Sequence, residues 1–251
     1  MKLLKYCLTL LLLIGAEHGC LAQNKRDTLN ILFVGNSYTY VSNIPHVVSI
    51  LSDSTQTKLM TAKSTVGGAR LSDHWKGEKG LKTKELIKNG NFDIVVLQEQ
   101  SMGTIEQADS FLIYSKKLSD FSKEHGARPY FYSTWARQKV PQFQETITKV
   151  YTQAALENDG GIVNVGEAWA LAQKLRPDID LFLSDGSHPS PLGAFLAACM
   201  FVQEFSLELP DKINPWGFTV LDSRGEQILL MIQDPLDITF CLKVVSEVSK
   251  K

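Results

Sequence analysis

The chain has 251 residues, of which 44% are hydrophobic and 21% charged, with a formal net charge of −1. This length suits one well-buried α/β domain, and the balance excludes a disordered polar chain. Near-neutrality gives no electrostatic ground for a nucleic-acid partner or for an anionic membrane surface.

In chain order, Lys2 and Lys5 precede an apolar run from Cys7 to Ala16, and small residues follow at Cys20 and Ala22. That is the order of a secretory signal peptide, so residues 1–22 are expected to be removed and the remainder exported to the periplasm or the cell exterior. The run is too short to span a bilayer as a mature helix, so no stable membrane insertion is expected. Cys20 follows Gly19, which raises lipid anchoring as an alternative. Glu17 and His18 stand where such a signal carries apolar or small residues, which favours a free N-terminus at Gln23. Cleavage leaves Cys199 and Cys241. Export permits a disulfide between them, and the apolar run Ala194–Phe201 around Cys199 equally suits a buried free thiol. No CxxC pair or HExxH motif is present, and no metal site is predicted.

Residues 23–251 read as a single domain of short apolar strands alternating with helices, the pattern of a parallel sheet covered on both faces. Strands are predicted at Asn30–Val34, Lys58–Ala62, Asp93–Leu97, Pro129–Ser133 and Gly161–Val165. Helices are predicted at Ile44–Ser52, Leu81–Lys88, Gln107–His125, Phe143–Glu157, Glu167–Leu175 and Leu192–Phe205. A C-terminal extension from about Leu209 reads as an extra helix or a hairpin.

Open parallel sheets bind ligands at the carboxyl ends of their strands, which directs attention to the segments that follow each strand. Ser37 follows the first strand in a Gly35-Asn36-Ser37 turn. A serine hydroxyl becomes a nucleophile only when a base takes its proton, and a turn serine is otherwise a common helix cap. His188 supplies the base. It stands in Asp185-Gly186-Ser187-His188, before Pro189-Ser190-Pro191, where Ser190 suits a helix cap and Pro191 the first helical position. An Asp three residues before a His in a turn can fold back onto the imidazole and fix its tautomer. Among the histidines after residue 22, only His188 has such a partner in a Gly/Pro-framed turn; His46, His74 and His125 do not. Candidate oxyanion donors are the Ser37 backbone N–H, a backbone N–H at Gly67 or Gly68 after the second strand, and an amide of Gln98 or Gln100 after the third. Trp135 and Arg137 follow the fourth strand as candidate substrate contacts, the Trp as a sugar platform, with Asn36 beside the serine. Glu99 is read as a structural hydrogen-bond partner and Glu167 as a helix N-terminal acid.

Taken in order, these blocks resemble the SGNH/GDSL hydrolases. Gly35-Asn36-Ser37-Tyr38-Thr39 is similar to the family's first block, with Asn36 where Asp is commoner. Gly67 or Gly68 fits the second, and Asp185-Gly186-Ser187-His188-Pro189 the last. The third departs: Gln98-Glu99-Gln100-Ser101 stands in place of Gly-x-Asn-Asp, as in a less typical branch with Gln for Asn. The resemblance implies a three-layer α/β/α flavodoxin-like fold with a five-stranded, mostly parallel sheet, and no metal or organic cofactor. It implies hydrolysis of a small-molecule or polysaccharide ester through a Ser37–His188–Asp185 triad. Short acyl groups on carbohydrate are the expected substrate. A lipase, lysophospholipase or acyltransferase of the same fold is one rival, and a catalytically silent carbohydrate-binding protein is another.

Overall fold

The computed structural model describes residues 27–250, so the expected signal peptide and the choice between Gln23 and Cys20 lie outside the described residues. Strand β1 (Asp27–Gly35) is apolar without interruption from Ile31 to Val34 because both of its faces are covered. Ile31 and Phe33 enter one apolar cluster, and Leu32 and Val34 enter the other. The remaining strands of the sheet are β2 (Thr57–Thr65), β3 (Ile94–Leu97), β4 (Arg128–Tyr132) and β5 (Gly161–Val163). All pair in parallel, in the order β2-β1-β3-β4-β5.

The helices form the outer layers. On the Ile31/Phe33 face lie α2 (Ile44–Ser52), α8 (Val165–Leu175), α9 (Pro191–Ser206) and α10 (Pro235–Val248). On the Leu32/Val34 face lie α3 (Leu71–Lys76), α4 (Thr83–Asn89), α6 (Ala108–Glu124) and α7 (Gln144–Glu157). Two single-turn helices, α1 (Ser37–Tyr40) and α5 (Gly103–Glu106), begin just after β1 and β3 at the carboxyl edge. Helix α9 is apolar on nearly every side because it packs against α2, α8 and α10 at once.

The chain therefore has the three-layer fold its pattern predicts, with differences at the ends of elements. The fifth strand stops at Val163 rather than Val165, because Asn164 leaves the extended region and Val165 already starts α8. The single helix expected at Leu81–Lys88 is preceded by another, α3, which the short stretch after Gly67-Gly68 did not betray. The tail holds both structures the sequence allowed, an antiparallel hairpin of β6 (Phe218–Leu221) and β7 (Gln227–Met231) followed by α10. Cys199 on α9 and Cys241 on α10 are buried and unbonded. Among the described residues no helix is long and apolar enough to cross a membrane.

Candidate active site

The Gly35-Asn36-Ser37 turn is built from buried polar contacts. Asn36 follows β1 and caps α1, its Oδ1 accepting the Tyr38 N–H at 3.1 Å. Its Nδ2 donates to the Ala69 carbonyl at 2.9 Å, which ties this turn to the loop after β2. Ser37 is the first residue of α1, where a backbone N–H has no intrahelical acceptor. Beneath the turn, Gln98 is fully buried. Its Oε1 accepts the Asn36 N–H at 2.9 Å and the Thr39 hydroxyl at 3.0 Å, and its Nε2 donates to the Glu99 carbonyl. Gly35 permits this approach, since a Cβ there would stand 2.4 Å from Gln98 Oε1. His74 secures the same strand end from the other side. Its Nε2–H donates to the Gly35 carbonyl at 3.0 Å, which leaves Nδ1 to accept the Thr83 hydroxyl at 2.7 Å, with Ser64 at 2.8 Å beyond. Burial lowers the His74 pKa to about 4, so the ring is neutral.

Asp185 and His188 come from one short turn. Asp185 Oδ1 accepts the backbone N–H groups of Ser187 (2.9 Å) and His188 (3.0 Å), while Oδ2 meets His188 Nδ1 at 2.5 Å. The His188 hydrogen bond, reinforced by those backbone donors, lowers the Asp185 carboxyl to about 2. Gly186 closes the turn at φ +64, a conformation that costs glycine little, and its N–H donates to the Leu183 carbonyl at 2.8 Å. Ser190 caps α9 through the Gly193 N–H, and the Ser190 and Leu183 backbones pair with Leu181 and His188, so the turn is tethered at both ends.

His188 Nε2 lies 2.7 Å from Ser37 Oγ. With Nδ1 protonated toward the carboxylate, Nε2 is the acceptor and the serine hydroxyl the donor. The structure thus brings Ser37, His188 and Asp185 together in an unbroken chain. Asp185 and His188 side chains are 47% and 32% exposed, so the site is open to solvent rather than sealed in a cavity.

Tyr38 was not singled out by its sequence setting, yet it joins the two halves. Its hydroxyl lies 2.7 Å from Ser187 Oγ, and its ring meets the His188 ring edge-on at 5.7 Å. Trp135 stacks on Tyr38 at 4.8 Å and on Trp169 at 3.8 Å, and its Nε1–H donates to the Ser187 carbonyl at 2.9 Å.

Several expected contacts have other roles. Trp135 is only 1% exposed and cannot serve as a sugar platform; it buttresses the Asp185–His188 turn from within. Asn36 is buried, with both ends of its amide engaged, and is a cap rather than a substrate contact. Gln98 is buried beneath the turn with both ends of its amide engaged, which makes it a strut of the turn rather than a free donor. Alternation had placed Gln98 and Gln100 on one face, but β3 ends at Leu97 and the chain turns at once. Gln100 is half-buried; its Oε1 accepts the Met102 N–H at 2.9 Å and its Nε2 donates to Ser101 Oγ at 3.2 Å. Arg137 is half-exposed, its Nε and Nη2 donating to the same Ser101 hydroxyl at 3.2 and 2.7 Å. Gly68 lies at φ +63 inside a turn closed by the Ala69 N–H on Val66, which accounts for a glycine there. Gly67 faces the Tyr40 hydroxyl, on the helix that carries Ser37. Glu99 is buried, and burial raises its pKa. Its two oxygens accept the Leu71 and Gln100 N–H groups, with Arg70 at 3.9 Å. Glu167 stands in the first turn of α8, as expected. Among the described residues no cluster of potential metal ligands occurs.

No family model matches the chain, and no curated protein matches it. Solved structures do. A candidate SGNH hydrolase from Slackia heliotrinireducens is 25% identical, covering 72% of this chain and all of its own, at a TM-score of 0.61. A DUF4886 family protein from Bacteroides uniformis is 16% identical over 89% of this chain and 95% of its own, at 0.71. An acetyl xylan esterase is 14% identical over 70% of this chain and 99% of its own, at 0.56. The last two identities are low enough that they speak for the fold alone.

Proposed function

Given that this chain belongs to the SGNH hydrolase superfamily, we propose that it is an exported serine esterase that removes short acyl groups, acetyl foremost, from carbohydrate. The observation that carries the reading is the hydrogen-bonded chain from Ser37 Oγ through His188 to Asp185, at 2.7 and 2.5 Å.

On this reading His188 Nε2 takes the Ser37 proton as Oγ attacks the ester carbonyl. Asp185 keeps the proton on Nδ1 and stabilises the imidazolium that forms. The tetrahedral intermediate collapses as His188 protonates the leaving alcohol, and a water deprotonated by the same nitrogen then releases the acid from Ser37. The oxyanion is held by the Ser37 N–H, by the Gly67 or Gly68 N–H, and by the Gln100 amide turning from Ser101. The openness of the Asp185–His188 turn favours a large or polymeric alcohol over a long acyl chain, which would need a buried apolar channel.

The test is hydrolysis of 4-nitrophenyl acetate by the purified protein beside Ser37→Ala. The proposal expects turnover that falls by several orders of magnitude in the variant, with its thermal stability kept. Equal turnover in the two proteins, or labelling of another serine by a fluorophosphonate, refutes the assignment. A chain-length series of esters, with and without an acceptor alcohol, separates the esterase from a lipase or an acyltransferase.

A further inference from the structure

A cavity of about 360 Å³ opens beside the Asp185–His188 turn, between the loop after β4 and helix α8. It shares a wall with the site. The Gln138 N–H donates to the Gly186 carbonyl at 2.9 Å, and Phe182, which lines the cavity, pairs with Pro189 next to His188. Arg137 and Lys174 are its cations, Gln138 and Gln173 add amides, and none of the lining side chains is acidic. Neither cation has a carboxylate partner among the described residues.

The two cations are not equivalent. Lys174 is an exposed ammonium on a flexible stem. Arg137 is held in place, because Nε and Nη2 both donate to Ser101 Oγ. A guanidinium already fixed in orientation loses less freedom when it binds, and its remaining N–H edge is shaped for a planar or tetrahedral oxyanion. Gln144, also on the wall, is spent on the Ala136 N–H and the Thr134 carbonyl, so it shapes the cavity without offering a free amide.

We propose that this cavity is a subsite for an anionic sugar residue, whose carboxylate or sulfate sits between Arg137 and Lys174 while its hydroxyls meet Gln138 and Gln173. The ester-bearing neighbour in the same oligosaccharide then lies across the Gly186 turn at Ser37. This inference deepens the reading of the enzyme as a carbohydrate esterase and rests on it for the placement of the substrate. Two positive groups on a wall without an acid select an anion over a neutral sugar, the nearest carboxylates, Glu145 and Glu167, lining the adjoining groove that shares Lys174, and the advantage must weaken as salt screens it.

The experiment is calorimetric titration of the wild-type protein at low ionic strength with three unesterified ligands: a galacturonate trisaccharide, a sulfated galactose trisaccharide and neutral xylotriose. At least one anionic ligand should bind tenfold or more tightly than xylotriose, and which one does so identifies the anion. The advantage should disappear in Arg137→Gln/Lys174→Gln and shrink on raising salt. Should the double variant fail to fold, Lys174→Gln alone, at an exposed position, should still reduce the preference severalfold. Equal binding of all three ligands, or an unchanged preference in the variants, overturns the subsite. The 4-nitrophenyl acetate assay runs beside it. An active enzyme without anion preference refutes only the subsite, and an inactive protein that prefers the anion refutes only the esterase.

Discussion

Replacing Gln98 by Leu separates a strut under the nucleophile turn from a donor to the reacting carbonyl. Leu has nearly the volume of Gln, so little cavity is created and the loss is that of hydrogen bonds. Two buried donors lose their acceptor, the Asn36 N–H at 2.9 Å and the Thr39 hydroxyl at 3.0 Å. A buried polar group left unpaired costs about 1–3 kcal/mol. The Thr39 hydroxyl can rotate toward another acceptor, whereas the Asn36 N–H is fixed by the backbone, so the total should be about 2–4 kcal/mol. For a domain of this size each kcal/mol moves the midpoint by about 2–4 °C, giving a fall of roughly 4–16 °C by scanning calorimetry. Ester turnover per folded molecule should drop about tenfold or less, because Ser37 shifts without losing an oxyanion contact. A variant that melts at the wild-type temperature yet loses a factor of about 10² or more in kcat would refute the reasoning and return Gln98 to the oxyanion hole.

The complementary change, Gln100→Ala, should lower kcat by roughly 10²–10³-fold with little change in KM, since charge on the carbonyl oxygen develops only during attack; a loss of only a few fold removes the third block from the oxyanion role. His74, held neutral with a pKa near 4 in the fold, contributes fully to stability above the unfolded value of about 6.5. That contribution is lost as pH falls toward 4, so stability from urea titrations should drop by up to about 3 kcal/mol between pH 7 and 4 from this residue. An identical pH slope in His74→Gln contradicts the assignment. Glu99 acts in the opposite sense, its raised pKa favouring the fold at acid pH, so Glu99→Gln should steepen the acid loss. Mass spectrometry of the exported protein should find an N-terminus at Gln23, and a lipid-modified Cys20 would establish the anchored alternative.

Much of the layer structure was legible because it follows from local pattern. An uninterrupted apolar run such as Ile31–Val34 signals a strand covered on both faces, and Ser190-Pro191 marks the start of a long helix. The Asp185–His188 pairing was legible for the same reason, since its partners lie three residues apart. The roles of Asn36, Gln98 and Trp135 were not. Polar and aromatic side chains just past a strand look the same in sequence whether they face solvent or lie beneath the turn. What decides is contact with distant residues, Ala69 and Ser187 among them. His74 left no local sign either, its partners Gly35 and Thr83 being 39 and 9 residues away. Gly35 was the usable clue, because a glycine that ends a strand before a polar turn leaves room for a side chain from the neighbouring strand.

The turn that holds Asp185 and His188 is closed on itself, while Ser37 rides on a different strand and helix. The Asp185–His188 couple is therefore a preassembled cartridge, and its register against Ser37 is set by how α9 and the Trp135–Trp169 stack seat it on the sheet. Damage to distant packing should disengage the cartridge from Ser37 before it disrupts the couple itself. In evolutionary terms the same arrangement lets one loop exchange carry both partners together, so Asp185 and His188 are inherited, or lost, as a pair.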